Sequence, residues 1–259
     1  MQRKICLVLL AGMLVFGAAC SGGGEQPASS ATDTPLPGDT AGKTVDASTA
    51  GNIAGKVTFA GEVRQGGRIR MNADPSCADQ HSGPTYTEDL VVADGNLKNA
   101  FVWVKSGLDG YTFDAPTGSV SLDQKGCLYD PRVFGVRTGQ EISILNSDPT
   151  THNINPTPKN NRNWNISQGP NAAARIQSFA REEVMLPVKC NVHPWMTAYI
   201  GVVSHPYFAV TGDDGSFSLA GLPPGMYTVE VWHERLGAQE QQVTIGASES
   251  TEVSFEFGG

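Results

Sequence analysis

Three side chains that bind soft metals stand at three-residue spacing in the stretch KCNVHPWM, residues 189–196. Cys190 can supply a thiolate, His193 an imidazole nitrogen and Met196 a thioether, and proteins use all three to bind transition metals. The loop is so short that the three side chains can converge on one point. Pro194 stiffens the loop and removes a backbone donor. The spacing therefore predicts a metal site.

A further ligand is available upstream, at His152 in the stretch Thr151-His152-Asn153. One thiolate, two imidazoles and a long, weak thioether bond make up a type 1 copper site. Zinc also binds cysteine and histidine, but the methionine favours copper. A dinuclear copper site would need a second cysteine beside Cys190, and the sequence has none there. Taken singly, a histidine or methionine is more often a surface or packing residue. The prediction of a copper site therefore rests on the four ligand candidates together.

The sequence over about residues 119–203 resembles the cupredoxins, the blue copper proteins. The family's motifs recur in the family's order, as YDP at 129–131, VRTGQEI at 136–142, NSD at 146–148, HN at 152–153 and CNVHPWM at 190–196. The last motif has the short ligand loop of the amicyanin type. The resemblance implies a Greek-key β-sandwich that holds one type 1 copper ion, which cycles between Cu(I) and Cu(II).

The resemblance also implies roles for single residues. Four side chains would ligate the copper, with His152, Cys190 and His193 as equatorial ligands and Met196 as the axial ligand. Asn153 would brace the ligand loops through hydrogen bonds. The exposed edge of His193, flanked by Pro194 and Trp195, would be the exit for the electron and the docking patch for a redox partner.

Short alternating strands recur from residue 53 onward, and turn signals separate them. Examples are LKNAFVWVK at 97–105, VMLPVKC at 184–190 and YTVEVW at 227–232. Strands at this spacing favour an all-β sandwich or barrel. Only residues 172–178 suggest a helical turn or two.

A second family resemblance lies outside the copper motifs. FAVTGDDGSFSLAGLPPGMYTVEV, residues 208–231, and the upstream GKVTFAG, residues 55–61, resemble the carboxypeptidase regulatory-like or transthyretin-like sandwich. We therefore expect a discontinuous sandwich formed by residues 53–110 and 205–259, with the cupredoxin inserted as residues 111–204. Two sandwiches in series are the alternative. The regulatory-like sandwich shows no catalytic constellation and is expected to be a spacer or docking platform.

Two cysteines remain for pairing among the five in the chain. If Cys190 binds metal, Cys77 and Cys127 can form a disulfide, which persists outside the cytoplasm. The alternative is a second metal site that combines these two cysteines with His81.

The beginning of the sequence resembles a bacterial lipoprotein signal. Residues 1–19 combine two positive charges, an apolar run and small residues, and Cys20 follows. The departure is Gly17, where such signals usually carry an aliphatic residue; ordinary cleavage near Ala19 is the alternative. We expect a lipid on Cys20 and a flexible linker over residues 20–52, which would anchor the protein to a bacterial membrane outside the cytoplasm, on the periplasmic side or at the outer membrane.

The charge and the ligand set together narrow the function. The formal net charge of −8 gives no basic footprint for nucleic acid. A single copper ion with no open coordination position suits one-electron transfer rather than enzymatic catalysis, with a cytochrome or dehydrogenase as redox partner by analogy alone. The alternatives are a copper-binding or delivery protein, and a structural or carbohydrate-binding sandwich that carries a copper domain.

Overall fold

The computed structural model describes residues 42–258, which fold into two β-sandwiches. The predicted signal peptide and Cys20 lie outside the described residues, as does most of the predicted linker. Within the described residues, no helix has the length and apolar character needed to cross a bilayer. The predicted all-β class is confirmed, since strands make up almost all of the regular structure.

The elements in chain order are β1 (Gly51–Phe59), a 3₁₀ turn (Met71–Ala73), α1 (Pro75–Ala78), β2 (Val92–Ala93), β3 (Asn96–Leu97), β4 (Phe101–Ser106), β5 (Val120–Lys125), β6 (Leu128–Asp130), β7 (Val133–Arg137), β8 (Ile142–Asn146), β9 (His152–Pro156), β10 (Ile166–Gln168), β11 (Arg175–Gln177), β12 (Glu183–Lys189), β13 (Thr197–Val203), β14 (Phe208–Val210), β15 (Ser216–Leu222), β16 (Gly225–His233), β17 (Gly237–Ile245), β18 (Ser250–Glu252) and β19 (Phe255–Phe257).

The first sandwich takes its strands from both ends of the described chain. One sheet has the order β15-β1-β3-β2, with β18 and β19 also paired to β1, and the other has the order β14-β4-β16-β17. Their inner faces share one apolar core that includes Val57, Val102, Leu219 and Val229. Buried residues alternate with exposed ones along β15, as expected when one face of a strand is packed and the other is solvated.

The second sandwich is built from β5–β13, in the middle of the sequence. One sheet has the order β10-β9-β12-β13-β7 and the other β11-β8-β5-β6. Ile144 and Ile154 are fully buried between the sheets, as are Val188 and Ile200. β12 and β13 are antiparallel neighbours, so the connection between them is a loop at one end of this sandwich.

A third apolar cluster joins the two sandwiches. Phe101 on β4 is wholly buried beside Val133 of the second sandwich. Gly135 on β7 and Gly201 on β13 are paired partners across the sheet, and a Cβ on Gly201 would lie 2.2 Å from the Phe101 ring. The paired glycines therefore leave the space that this aromatic ring fills.

Three local features differ from the sequence-based expectations. Residues 172–178 contain the strand β11 rather than a helical turn, because Arg175–Gln177 pairs with β8. The end of the predicted linker is part of the fold: Lys43 bridges to Tyr111, and Gly51 already belongs to β1.

The third difference concerns a predicted domain boundary. The expected boundary places residues 53–110 as a whole in the regulatory-like sandwich, but Ile69, Met71 and Cys77 pack into the core of the second sandwich. Their apolar side chains cover an end of that core, and the disulfide between Cys77 and Cys127 ties them there. The boundary is therefore wrong for this segment.

Candidate metal centre

The loop between β12 and β13 places two of the predicted ligands. Val188 and Lys189 pair with Ala198 and Thr197, so residues 190–196 must turn back within a short hairpin connection. The amide of Cys190 donates to the carbonyl of Met196 at 3.2 Å. This closed loop directs the side chains of Cys190 and His193 inward, and both residues are buried.

His152 reaches the same point from the adjacent strand β9. Lys189 on β12 pairs with Asn155 on β9, which brings the start of β9 alongside the loop. The Nδ1 atoms of His152 and His193 lie 2.8 Å apart. One donor atom each from His152, Cys190 and His193 lies within 4.8 Å of the others. The structure thus brings together the thiolate and both imidazoles predicted from the sequence.

The outer edge of each imidazole meets a carboxylate. His152 Nε2 lies 2.7 Å from Asp148 Oδ2, and His193 Nε2 lies 2.9 Å from Asp74 Oδ2. Because each carboxylate accepts the proton on the Nε2 atom beside it, each Nδ1 points a lone pair toward the other ring. The exception is a state in which a proton lies between the two Nδ1 atoms. Two facing Nδ1 atoms beside a buried sulfur therefore need a cation between them, either a proton or a metal ion.

The electrostatics of the metal-free centre agree with this requirement. Burial opposes a charge on His152, yet the bonds to Asp148 and Cys190 prevail and raise the pKa of His152 to about 9. Burial likewise raises the pKa of the Cys190 thiol, but hydrogen bonds from His152 and nearby groups outweigh it and lower that pKa. The centre is thus prepared for a cation beside a thiolate, and a metal that binds here displaces a proton. The donor set of thiolate and two imidazoles fits copper.

Asn153 lies behind the sulfur, where the sequence placed a bracing residue. Its Oδ1 accepts the amide of Asn191 at 2.6 Å and lies 3.4 Å from Cys190 Sγ. Its Nδ2 donates to Asn165 Oδ1 at 2.7 Å. The amide of His193 donates to Cys190 Sγ at 3.3 Å. The bonds of Asn153 hold the ligand loop against β9, and the His193 amide supplies a donor to a thiolate.

Met196 is wholly buried and lies in the same apolar cluster as Cys190. Its amide donates to the carbonyl of His193 at 2.9 Å, which closes the turn that carries the ligands. Its coordination of the copper as an axial ligand stays a prediction.

The expectation of an exposed His193 edge is wrong. Only 3% of His193 is exposed, because the segment with α1 packs over it. Asp74 bonds to Nε2, and Cys77 Sγ lies 3.5 Å from the same atom. Of the two residues predicted to flank the exit, Pro194 is exposed and Trp195 is half-buried; the Trp195 ring lies 5.0 Å from His193.

Cys77 and Cys127 form a disulfide in the structure. His81, which the alternative hypothesis combined with them as a metal site, bonds through Nε2 to the carbonyl of Gly126 at 2.8 Å. It therefore has a structural partner beside the disulfide. Cys190 is the free cysteine among the described residues.

Sequence reasoning did not identify the two carboxylates. Asp148 lies four residues before His152, inside the NSD motif, and that spacing could have suggested it. Burial raises the pKa of Asp148, but bonds from His152 and from the amides of Cys127 and Gly126 outweigh this and hold the pKa below its usual value. Asp74 lies far upstream, and no local pattern connects it with the ligand loop.

Comparisons with known proteins find both resemblances that the sequence suggested. Residues 197–258 match the carboxypeptidase regulatory-like domain. A purple cupredoxin from Nitrosopumilus maritimus is 19% identical over 32% of this chain and 98% of its own, with a TM-score of 0.28. A methionine-to-alanine mutant of amicyanin with Cu(I) is 17% identical over 40% of this chain and 98% of its own, with a TM-score of 0.29.

A Cu-containing nitrite reductase from Thermus scotoductus SA-01 is also similar, with 13% identity over 56% of this chain and 28% of its own, and a TM-score of 0.31. No curated protein matches the chain. Because the TM-scores are near 0.3, the copper interpretation rests on the side chains described above. The chain combines a segment that matches the carboxypeptidase regulatory-like domain with an all-β region that resembles the cupredoxins.

Proposed function

We propose that this protein is a type 1 copper protein that transfers single electrons outside the cytoplasm while a lipid on Cys20 anchors it to a bacterial membrane. The observation that carries the proposal is the convergence of Cys190, His152 and His193 in a buried cluster. A thiolate and two imidazoles held by a packed strand and a closed loop keep copper in one geometry in both oxidation states, which favours rapid one-electron exchange.

Burial of the ligands favours electron transfer over the alternatives. His152 is wholly buried, and Cys190 and His193 are each 3% exposed. A substrate would need an open ligand position, and a delivery protein would need an accessible ion that it can hand over. An electron can pass through several ångströms of packed protein without either, so we propose that the protein is not an enzyme.

The visible spectrum of the copper-loaded protein tests the ligand set. We expect an intense thiolate-to-copper band that mild reductant bleaches and oxidant restores. Cys190→Ser and His152→Gln should remove the band, whereas His81→Gln, the same histidine change outside the centre, should keep it. A colourless wild-type protein that still binds copper would refute the type 1 assignment.

Copper retention separates electron transfer from delivery. We expect copper to stay bound through repeated reduction and oxidation in the presence of a Cu(I) chelator, because the ligands are buried. Rapid loss of copper to the chelator on reduction would favour delivery instead.

Cell fractionation and metabolic labelling test the membrane anchor. We expect the wild-type protein to incorporate labelled fatty acid and to sediment with membranes. Cys20→Ala should abolish both properties and leave the copper spectrum unchanged. A wild-type protein that takes up no lipid would contradict the anchor without affecting the proposed copper centre.

A further inference from the structure

The segment of residues 69–81, here called the cap, lies across the outer side of the metal centre. Ile69 and Met71 anchor its first half in the core of the second sandwich. The disulfide from Cys77 to Cys127 anchors its second half. The cap precedes the stretch that resembles cupredoxins by a wide margin in sequence, so its contact with the centre is a feature of this chain's own fold.

Asp74 is the cap residue that meets the metal centre. One of its oxygens, Oδ2, lies 2.9 Å from His193 Nε2 and accepts the Thr150 hydroxyl at 3.1 Å. The other, Oδ1, accepts the amide of Ser76 at 2.9 Å as the N-cap of α1. Both oxygens are thus occupied, and the carboxylate is held in one orientation against the imidazole.

This arrangement places a negative charge one imidazole ring away from the ligand atom His193 Nδ1. Because the carboxylate accepts the Nε2 proton, Nδ1 is kept free for the metal. The charge also stabilises the more positive of two oxidation states, which is Cu(II). The Asp74 side chain is 24% exposed and that of His193 is 4% exposed, so the interaction is shielded from bulk water on the imidazole side.

We propose that Asp74 is a positioning residue of the metal centre: it fixes His193 with the proton on Nε2 and lowers the reduction potential of the bound copper. This inference rests on the proposed function for the copper step only. The tautomer of His193 is a property of the metal-free protein as well.

Two substitutions separate the effects of charge and contact. Asp74→Asn removes the charge and keeps a single oxygen, which we expect to accept from His193 Nε2 while the NH₂ group replaces Oδ1 at the Ser76 amide. Asp74→Ser keeps a helix-capping oxygen but is too short to reach the imidazole. Asp79→Asn, at the exposed end of the same helical turn, removes the same charge away from His193 and is the matched control.

The first measurement is ¹⁵N NMR of the histidine rings in the metal-free protein. We expect His193 to carry its proton on Nε2 in wild type, Asp74→Asn and Asp79→Asn. Asp74→Ser should show a mixture of tautomers or a changed ring exchange rate. The same protonation pattern in Asp74→Ser and wild type would overturn the positioning role, whether or not the protein binds copper.

The second measurement is the midpoint potential of the copper-loaded variants. We expect Asp74→Asn to have a higher potential than wild type, and Asp79→Asn to differ from wild type by much less. Equal potentials for Asp74→Asn and Asp79→Asn would overturn the electrostatic role.

If wild-type protein shows no type 1 copper spectrum, the proposed function fails, and the NMR result still decides the position of the proton. A thermal melt of each variant shows whether it is folded. Should Asp74→Ser unfold, a His193 proton on Nδ1 in the metal-free wild type would overturn the positioning role, and the potential of Asp74→Asn decides the electrostatic role.

Discussion

His152 and His193 face each other through their Nδ1 atoms at 2.8 Å, and a carboxylate lies behind each ring. The two carboxylates come from different parts of the chain. Asp148 lies four residues before His152, the first residue of β9, whereas Asp74 belongs to the cap. Cys127 links the two sides, because its amide donates to Asp148 Oδ2 at 2.7 Å and its sulfur is bonded to Cys77 in the cap. The geometry of the centre therefore depends on residues outside its ligand set.

Asp148→Asn should weaken metal binding strongly. The carboxylate accepts the amides of Gly126 and Cys127 as well as the His152 ring. An amide group would turn an NH₂ toward one of these donors and leave His152 without a charged partner. We expect copper affinity to fall roughly 10- to 100-fold, as is typical when a residue that orients a ligand is lost. Competition against a chelator of known affinity measures the change.

Asp130→Asn is the matched control for that substitution. Asp130 is exposed at the end of β6, so its charge is removed at the surface of the same sandwich. We expect its copper affinity to stay within a factor of two or so of wild type, since exposed charges contribute little. Equal affinities of the two variants would show that Asp148 does not support His152.

Removal of the disulfide should lower stability and loosen the cap. Cys77 and Cys127 are 50 residues apart in sequence, and closing a loop of that length in the unfolded chain corresponds to about 4 kcal/mol. Cys77→Ala with Cys127→Ala should reduce the free energy of unfolding by about 2–5 kcal/mol. Urea denaturation of the metal-free protein gives this value. Cys190→Ala, which removes a buried thiol but no crosslink, is the control, and an equal loss in both would contradict the role assigned to the disulfide.

Gly201→Ala should destabilise the junction between the sandwiches. The new Cβ would lie 2.2–2.7 Å from three atoms of the Phe101 ring, and that ring is wholly buried. Overpacking of this kind costs about 1–3 kcal/mol. Gly83→Ala adds the same methyl group where nothing lies within 4 Å and should be nearly neutral. Similar unfolding free energies for both variants would show that the ring moves aside without cost.

The sequence predicted the features that depend on local spacing. The ligand loop at residues 190–196 was recognisable because Cys190, His193 and Met196 lie within one short turn. The strand predicted at YTVEVW, residues 227–232, was recognisable because its residues alternate, and it lies within β16. Arg175–Gln177 was misread as helix because its residues carry no alternating pattern, and only pairing with β8 makes it a strand.

The cap could not be predicted, because its position is set by contacts across the fold. Ile69 and Met71 are ordinary apolar residues in a stretch with weak periodicity, and Asp74 resembles any N-cap residue. Their location over the metal centre depends on the disulfide and on the core of the second sandwich. The exposed edge expected for His193 came from the family resemblance, and the cap makes that expectation wrong for this chain.

His233 should make the protein less stable in mildly acidic solution. It is 1% exposed at the end of β16, and burial together with Arg132 and Arg235 lowers its pKa from 6.5 to about 4. Between pH 6.5 and 4 the unfolded chain binds a proton that the folded chain excludes, so stability falls as the pH drops through this range and levels off below it. The shift corresponds to about 3 kcal/mol. His233→Gln removes the titrating group. From pH 7 to pH 4 the variant should therefore lose less unfolding free energy than wild type. Parallel pH profiles in urea denaturation would show that His233 takes up its proton without opposing the fold.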